Sequence, residues 1–308
     1  MKEPIPHWPG QLIDLPEKQQ VYVRSAPGSG TETAFFVHGL AGSATNWTDL
    51  MDLLKGVAAG HAIDLPGAGF SPAPPDGDYS VVAHTRAVAA SIERIAGGPV
   101  HLFGNSLGGA VSVRVAATRP DLVRSLTLIS PALPDLFPRY GPARVAISAL
   151  PVIGEWTFAR LCALPPERRL KATLELCYAD ATGVHPERFR EAVEELRRRD
   201  GLPYGGTAML CSARGIVAEY FRRGEENLWR LAAKVAAPTL VIHGRHDRLV
   251  HPRMAARAAR TFPRVRLVLL PSAGHVAQME DPETVAREAL RLIGESAVRT
   301  ASRGRRGR

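Results

Sequence analysis

The sequence predicts an α/β fold: a mostly parallel central sheet with helices on both faces and a helical insertion. Three observations predict it. Short apolar runs alternate with segments of helical periodicity from Thr33 to Ile129, and again from Thr239 to Ile293. Between Pro131 and about Arg230 the alternation stops, and the chain reads as irregular and helix-like. A glycine-flanked turn, Gly104-Asn105-Ser106-Leu107-Gly108, joins an apolar run to an apolar helical segment. Strands alternating with helices at this spacing form parallel sheets, because parallel neighbours need a crossover helix and both faces are then covered.

The elements follow in order. Gln11–Arg24 reads as two short strands around Pro16-Glu17-Lys18. Thr33–Val37 is an apolar run ending in His38-Gly39, and Ala44–Leu54 carries Trp47, Leu50, Met51 and Leu54 at helical spacing. Ala58–Leu65 is strand-like and Val81–Ile95 helix-like. Val100–Phe103, Leu107–Ala117 and Val123–Ile129 then read as strand, helix and strand. Within the insertion, Pro186 suits a first helical position, followed by Phe189, Val193 and Leu196 on one face. The rhythm resumes with Thr239–His243, Arg253–Thr261, Val265–Leu270 and Pro282–Ile293. Asp281-Pro282-Glu283 supplies a cap, a first-turn proline and an acid at the last helix start. The expected organisation is a core of residues 1–131 and 231–296, a helical insertion 132–230 and a disordered basic tail 297–308.

Composition narrows the function class. The chain has 308 residues, 45% hydrophobic and 22% charged, as in ordinary globular proteins. It is long enough to bury a large core without staples. Cys162, Cys177 and Cys211 are too few and too scattered for a disulfide framework or a zinc site. No signal-peptide pattern opens the chain, and its longest apolar stretch, 145–154, is far short of a bilayer span. A cytoplasmic location is therefore expected. The net charge of +9 includes arginines 299, 303, 305, 306 and 308, which leaves +4 for the body. No zinc-finger spacing or aromatic RNA-binding motif accompanies that charge, so no specific nucleic-acid partner is expected.

The elbow at Ser106 carries the chemistry. A serine at a tight strand–turn–helix junction takes a strained backbone. Its hydroxyl then stands above the carboxyl edge of the sheet, at a helix N-terminus. Such a hydroxyl needs a base, and the base needs an orienting acid. Asp247 follows the Thr239–His243 run and His275 follows the Val265–Leu270 run, both just past strand ends. Their order is Ser, Asp, His. Upstream, His38-Gly39-Leu40-Ala41-Gly42-Ser43 is a small-residue loop that lets a backbone N–H approach a reacting oxygen. The N–H groups of Leu40 and Leu107 are the expected oxyanion-hole donors.

On these residues the chain resembles the α/β-hydrolases of the serine type with a helical cap. Asp64-Leu65-Pro66-Gly67-Ala68-Gly69-Phe70-Ser71 resembles that family's D-x-P-G-x-G-x-S turn, and Gly274–Glu283 loosely resembles its closing G-H-x5-E-x-P-E motif. The resemblance covers about residues 20–295, cap excepted. It implies a Ser106–His275–Asp247 triad, an oxyanion loop braced at His38 and Gly39, an acyl-enzyme route, no metal and no cofactor. The expected partner is a small-molecule substrate; no oligomeric state follows. Carboxylesterase or small-lipase action on a moderately hydrophobic ester is the leading expectation, drawn from the apolar run Leu133–Ile153. Carbon–carbon hydrolysis of meta-cleavage-product type is the alternative. Gly104-Asn105-Ser106 and Gly108-Gly109 resemble that subgroup. Val276, where the subgroup tends to carry tryptophan, departs from it, as does the lack of its glycine- and proline-rich run after His38-Gly39. Thioesterase, lactonase and a receptor-like binding role complete the set. Asp64 is a competing acid, but it precedes the serine and the family uses it structurally. His243 and His246 read as structural, and Asp180, Asp200 and the insertion arginines as solvated.

Overall fold

The computed structural model describes residues 3–135, 150 and 152–306. Most of the apolar runs Leu133–Ile153 and 145–154 therefore lies outside the described residues. Eight strands form one sheet: β1 (Gly10–Asp14), β2 (Gln20–Ala26), β3 (Glu32–Val37), β4 (Ala58–Ile63), β5 (Val100–Asn105), β6 (Val123–Ile129), β7 (Thr239–Gly244) and β8 (Val265–Leu270). Their spatial order is β1-β2-β4-β3-β5-β6-β7-β8. The pairs β1–β2 and β2–β4 are antiparallel, and the rest are parallel. β5 and β7 are buried at every position, which is why they read as unbroken apolar runs rather than alternating ones.

Eleven helices accompany the sheet among the described residues. In the core they are α1 (Thr48–Leu54), α2 (Val81–Ala96) and α3 (Leu107–Thr118). The insertion contributes α4 (Ile153–Cys162), α5 (Pro166–Cys177), α6 (Pro186–Asp200) and α7 (Gly205–Glu219). After it come α8 (Leu228–Lys234), α9 (Arg253–Thr261), α10 (Ala277–Glu280) and α11 (Pro282–Arg306). Local chemistry sets their ends. The Ser80 hydroxyl accepts from Ala83 N–H at 3.1 Å and starts α2, while Gly97, at φ 61°, ends it in the left-handed region. Asp281 accepts from Thr284 N–H at 3.1 Å and starts α11.

Two apolar cores lie on the two faces of the sheet. One gathers Val88, Ile92, Val111 and Val115 from α2 and α3 with Leu228 and Trp229 from α8. The other holds Trp47, Leu50 and Leu54 near and on α1 with Val285, Ala289 and Leu292 from α11. Phe36 ties the second core to the sheet, with its ring 4.6 Å from Phe103 and 5.3 Å from Trp47, centre to centre. Each such fully buried side chain contributes about 1.5–3 kcal/mol.

Between β6 and β7 the described residues are helical or irregular, with no strand. α8, at the far end of this stretch, packs its Leu228 and Trp229 into the first core, and Trp229 Nε1–H donates to Pro134 O at 2.8 Å. The insertion is also tied to the core by charge. Arg114 on α3 pairs with Glu219 on α7 at 2.9 Å and with Glu226 at 2.6 Å. Arg222 meets the other oxygen of Glu219 at 2.7 Å. The Arg114 and Glu219 side chains are only 3% and 2% exposed.

α11 runs on to Arg306. Arginine and alanine are strong helix formers, and no proline interrupts the segment.

Arg114→Met leaves the buried Glu219 with Arg222 alone, and urea denaturation should show a loss of about 3 kcal/mol. The double variant Arg114→Met/Glu219→Leu should regain most of it. A single-variant loss near zero would remove this pair as a structural link.

Candidate active site

β5 delivers Ser106 to the carboxyl edge of the sheet and α3 begins at the next residue. Ser106 sits at φ 54°, ψ −116°, a non-glycine residue in a strained region. Such strain costs about 1–3 kcal/mol and persists only where the surroundings fix it. Here Ser106 N–H donates to Ile129 O at 3.1 Å, and Ser106 O accepts from Ala110 and Ala132 N–H at 3.1 and 2.9 Å. A side chain at Gly104 or Gly108 would strike backbone atoms of Gly108 or Val37, so the elbow closes only with glycine at both places.

β7 and β8 end beside it. His275 Nδ1 lies 3.0 and 3.1 Å from the two oxygens of Asp247. Asp247 Oδ1 also accepts from Leu249 and Val250 N–H, each at 2.8 Å. Burial opposes ionisation of Asp247. The charge and hydrogen bond of His275, with His243 and the Val250 N–H, outweigh it and bring the carboxyl down to about 2. Asn105, next to the serine, donates from Nδ2 to Ile129 O and His275 O, both at 3.1 Å. It thus spans from the serine strand to the histidine loop. Ser106 and His275 line one cavity.

The loop after β3 is braced by His38. Its Nδ1–H donates to Gly39 O at 2.7 Å and its Nε2 accepts from Leu65 N–H at 3.0 Å. Both bonds fit one neutral tautomer, and burial lowers this imidazole to about 4. Gly39 O also accepts from Gly42 N–H at 3.1 Å. With its oxygen held twice in a trans peptide, the following N–H, that of Leu40, is turned to the opposite side. Leu40 and Leu107 line the same cavity as Ser106. The Leu107 N–H belongs to the first turn of α3, where helix geometry supplies no partner.

Of the remaining candidates, His243 lies against the trio, its Nε2 3.3 Å from Asp247 Oδ2, while Asp64 and His246 serve elsewhere. Asp64 is buried and accepts from Ala44 and Phe70 N–H at 2.6 and 2.8 Å, which fixes the turn 64–71. His243 Nε2–H donates to Val250 O at 2.9 Å, and His246 is exposed.

The cavity measures about 1210 Å³ and lies between the sheet edge and the insertion. Phe158, Leu161, Leu170, Leu174, Leu196 and Met209 supply apolar lining from α4 to α7. Its polar lining was missed in the sequence. Glu195 on α6 accepts from the Ser43 hydroxyl at 3.0 Å, and burial, then Asp64, pushes its carboxyl up. Arg199, one helical turn on, also lines the cavity. It makes no ion pair with the described residues, and its Nε is buried without a hydrogen-bond partner among them. Arg169, read as solvated, is buried against Asp200. A period-of-four pattern on α6 would have placed Glu195 and Arg199 on one face with Ala192 and Leu196, but their polarity hid it.

A family model described as alpha/beta hydrolase fold matches residues 35–282. The chain belongs to that family and is an enzyme of the hydrolase class. Among curated proteins, it is 29% identical over 270 residues to the dihydrolipoyllysine-residue acetyltransferase component of the acetoin cleaving system of Cupriavidus necator. That match covers 88% of this chain but only 65% of the relative's length. It is 26% identical to a 2-hydroxy-6-oxononadienedioate/2-hydroxy-6-oxononatrienedioate hydrolase of Cupriavidus pinatubonensis, over 87% of this chain and 88% of the relative. Among solved structures, a putative lipase from Acinetobacter baumannii aligns with TM-score 0.78 at 18% identity, over 94% and 92% of the two chains. No helix of the described residues is long and apolar enough to cross a membrane.

The Asp247 carboxyl titrates lower folded than unfolded, where it sits near 3.9. Its stabilising contribution is present above about pH 4 and is lost as pH falls from about 4 towards 2. Urea denaturation at several pH values should show a shallower acid loss for Asp247→Asn than for the wild type. Equal slopes would contradict the arrangement.

Proposed function

We propose that the protein hydrolyses a carboxylic ester of a small to medium, moderately hydrophobic substrate, with residues 132–230 acting as a cap over the core. One observation supports this most: a strained serine and a carboxylate-bound imidazole line one cavity whose walls are largely apolar. Ser106 Oγ attacks the acyl carbonyl as His275 Nε2 takes its proton. Asp247 holds the proton on Nδ1 and stabilises the imidazolium. The N–H groups of Leu40 and Leu107 receive the negative oxygen. His275 returns the proton to the leaving alcohol, and the acyl group stays on Ser106. Water, deprotonated by His275, then attacks the acyl carbon. The acid leaves, and the serine regains its proton.

Carbon–carbon hydrolysis is the second reading, and Arg199 favours it. Its Nε has no hydrogen-bond partner among the described residues, and a ligand carboxylate in the cavity would supply one. A relative 26% identical is named for a dienedioate.

A fluorophosphonate probe should label the wild type and not Ser106→Ala, and the variant should lose about 10,000- to 1,000,000-fold in kcat. Unchanged labelling of Ser106→Ala would exclude this nucleophile. His38→Ala, which leaves Gly39 O with the Gly42 N–H alone, should lower kcat about 100-fold with little change in KM. Across a panel of p-nitrophenyl esters, turnover should peak at short to medium acyl chains. Faster turnover of a ring-fission dienoate, lost in Arg199→Met, would select the second reading instead.

A further inference from the structure

Gly274, the residue before His275, has no room for a side chain, and the crowding comes from the insertion. A Cβ there would lie 2.5 Å from Cys177 O, 2.7 Å from Ala179 N and 2.8 Å from Tyr178 C. The two segments are bonded as well as packed. His275 N–H donates to Cys177 O at 2.6 Å. Glu280, on α10, spans them with one oxygen each: Oε1 accepts from Gly274 N–H at 2.8 Å and Oε2 from Ala179 N–H at 2.7 Å. On the acid side, Arg248, adjacent to Asp247, donates to Glu175 O and to Tyr178 O. Residues 175–179, at the end of α5, are therefore fastened to both loops that carry the acid and the base. The same helix lines the cavity through Leu170 and Leu174.

We propose that Glu280 is a positioning residue: its carboxylate couples the insertion to the His275 loop, so that the imidazole is correctly placed only while residues 175–179 are seated. The proposal rests on His275 acting as the base. Glutamine keeps one acceptor oxygen but turns an amide group towards the second N–H. Alanine removes both bonds and leaves space for a small carboxylate.

The full chain is tested as wild type, Glu280→Gln and Glu280→Ala with p-nitrophenyl butyrate. A misplacement near 1 Å at the base costs about 100-fold, so Glu280→Ala should lose about that in kcat with KM little changed. Glu280→Gln should fall between, and added formate should restore part of the alanine variant's rate. Cys177 gives a second readout in a Cys162→Ser/Cys211→Ser background. Burial pushes its thiol up to about 12, so it should react slowly with a disulfide reagent while the tether holds and faster in Glu280→Ala. The proposal is overturned if Glu280→Ala keeps wild-type kcat, or if kcat falls only with the folded fraction seen by circular dichroism. A lowered kcat with Cys177 still protected and no formate rescue would overturn it too. If the wild type neither labels with fluorophosphonate nor turns over any ester, the triad reading fails. Cys177 protection still reports the tether on its own.

Discussion

A side-chain-bearing residue held in a disfavoured backbone conformation at position 106 is the constraint from which the rest of the site follows. The peptide cannot relax, because β5 pulls on one side, α3 starts on the other, and Ala110 and Ala132 both bond its carbonyl. The glycines at 104 and 108 let sheet and helix close around it without collision. Only such a crowded turn presents a hydroxyl at a helix start with no side chain in front of it.

Parallel strands make the remaining placements inexpensive. β3, β5, β7 and β8 all end at the same edge, so loops far apart in sequence meet above it. Each loop then uses backbone groups to fix its polar side chain. Asp247 is gripped by two main-chain N–H groups and His38 by one C=O and one N–H. Polar groups held this way need little reorganisation when a proton moves, which is the advantage of a preorganised site over water.

The sequence made the sheet rhythm legible because parallel strands are apolar on both faces. It made the elbow legible because only glycine tolerates those contacts. The order of Ser106, Asp247 and His275 was readable for the same reason: each follows a strand end. Less was readable in the insertion. Arg169 looks like any solvated arginine until tertiary packing encloses it, and Arg199 until the cavity forms beside it. Glu280 passed as one acid in a terminal motif, since its bond to Ala179 crosses a hundred residues. Asn105 was read only as part of the turn, although its amide reaches the histidine loop.

The ion pair between Arg114 and Glu219 joins the helix that follows Ser106 to a helix of the insertion, out of reach of water. Neither half of the molecule is electrostatically complete without the other. Trimming the insertion away to obtain a minimal scaffold would strand a guanidinium on the face of α3. Heating should melt the two parts as a single cooperative unit, so a stabilising change made far out in the insertion would also be felt beneath the serine.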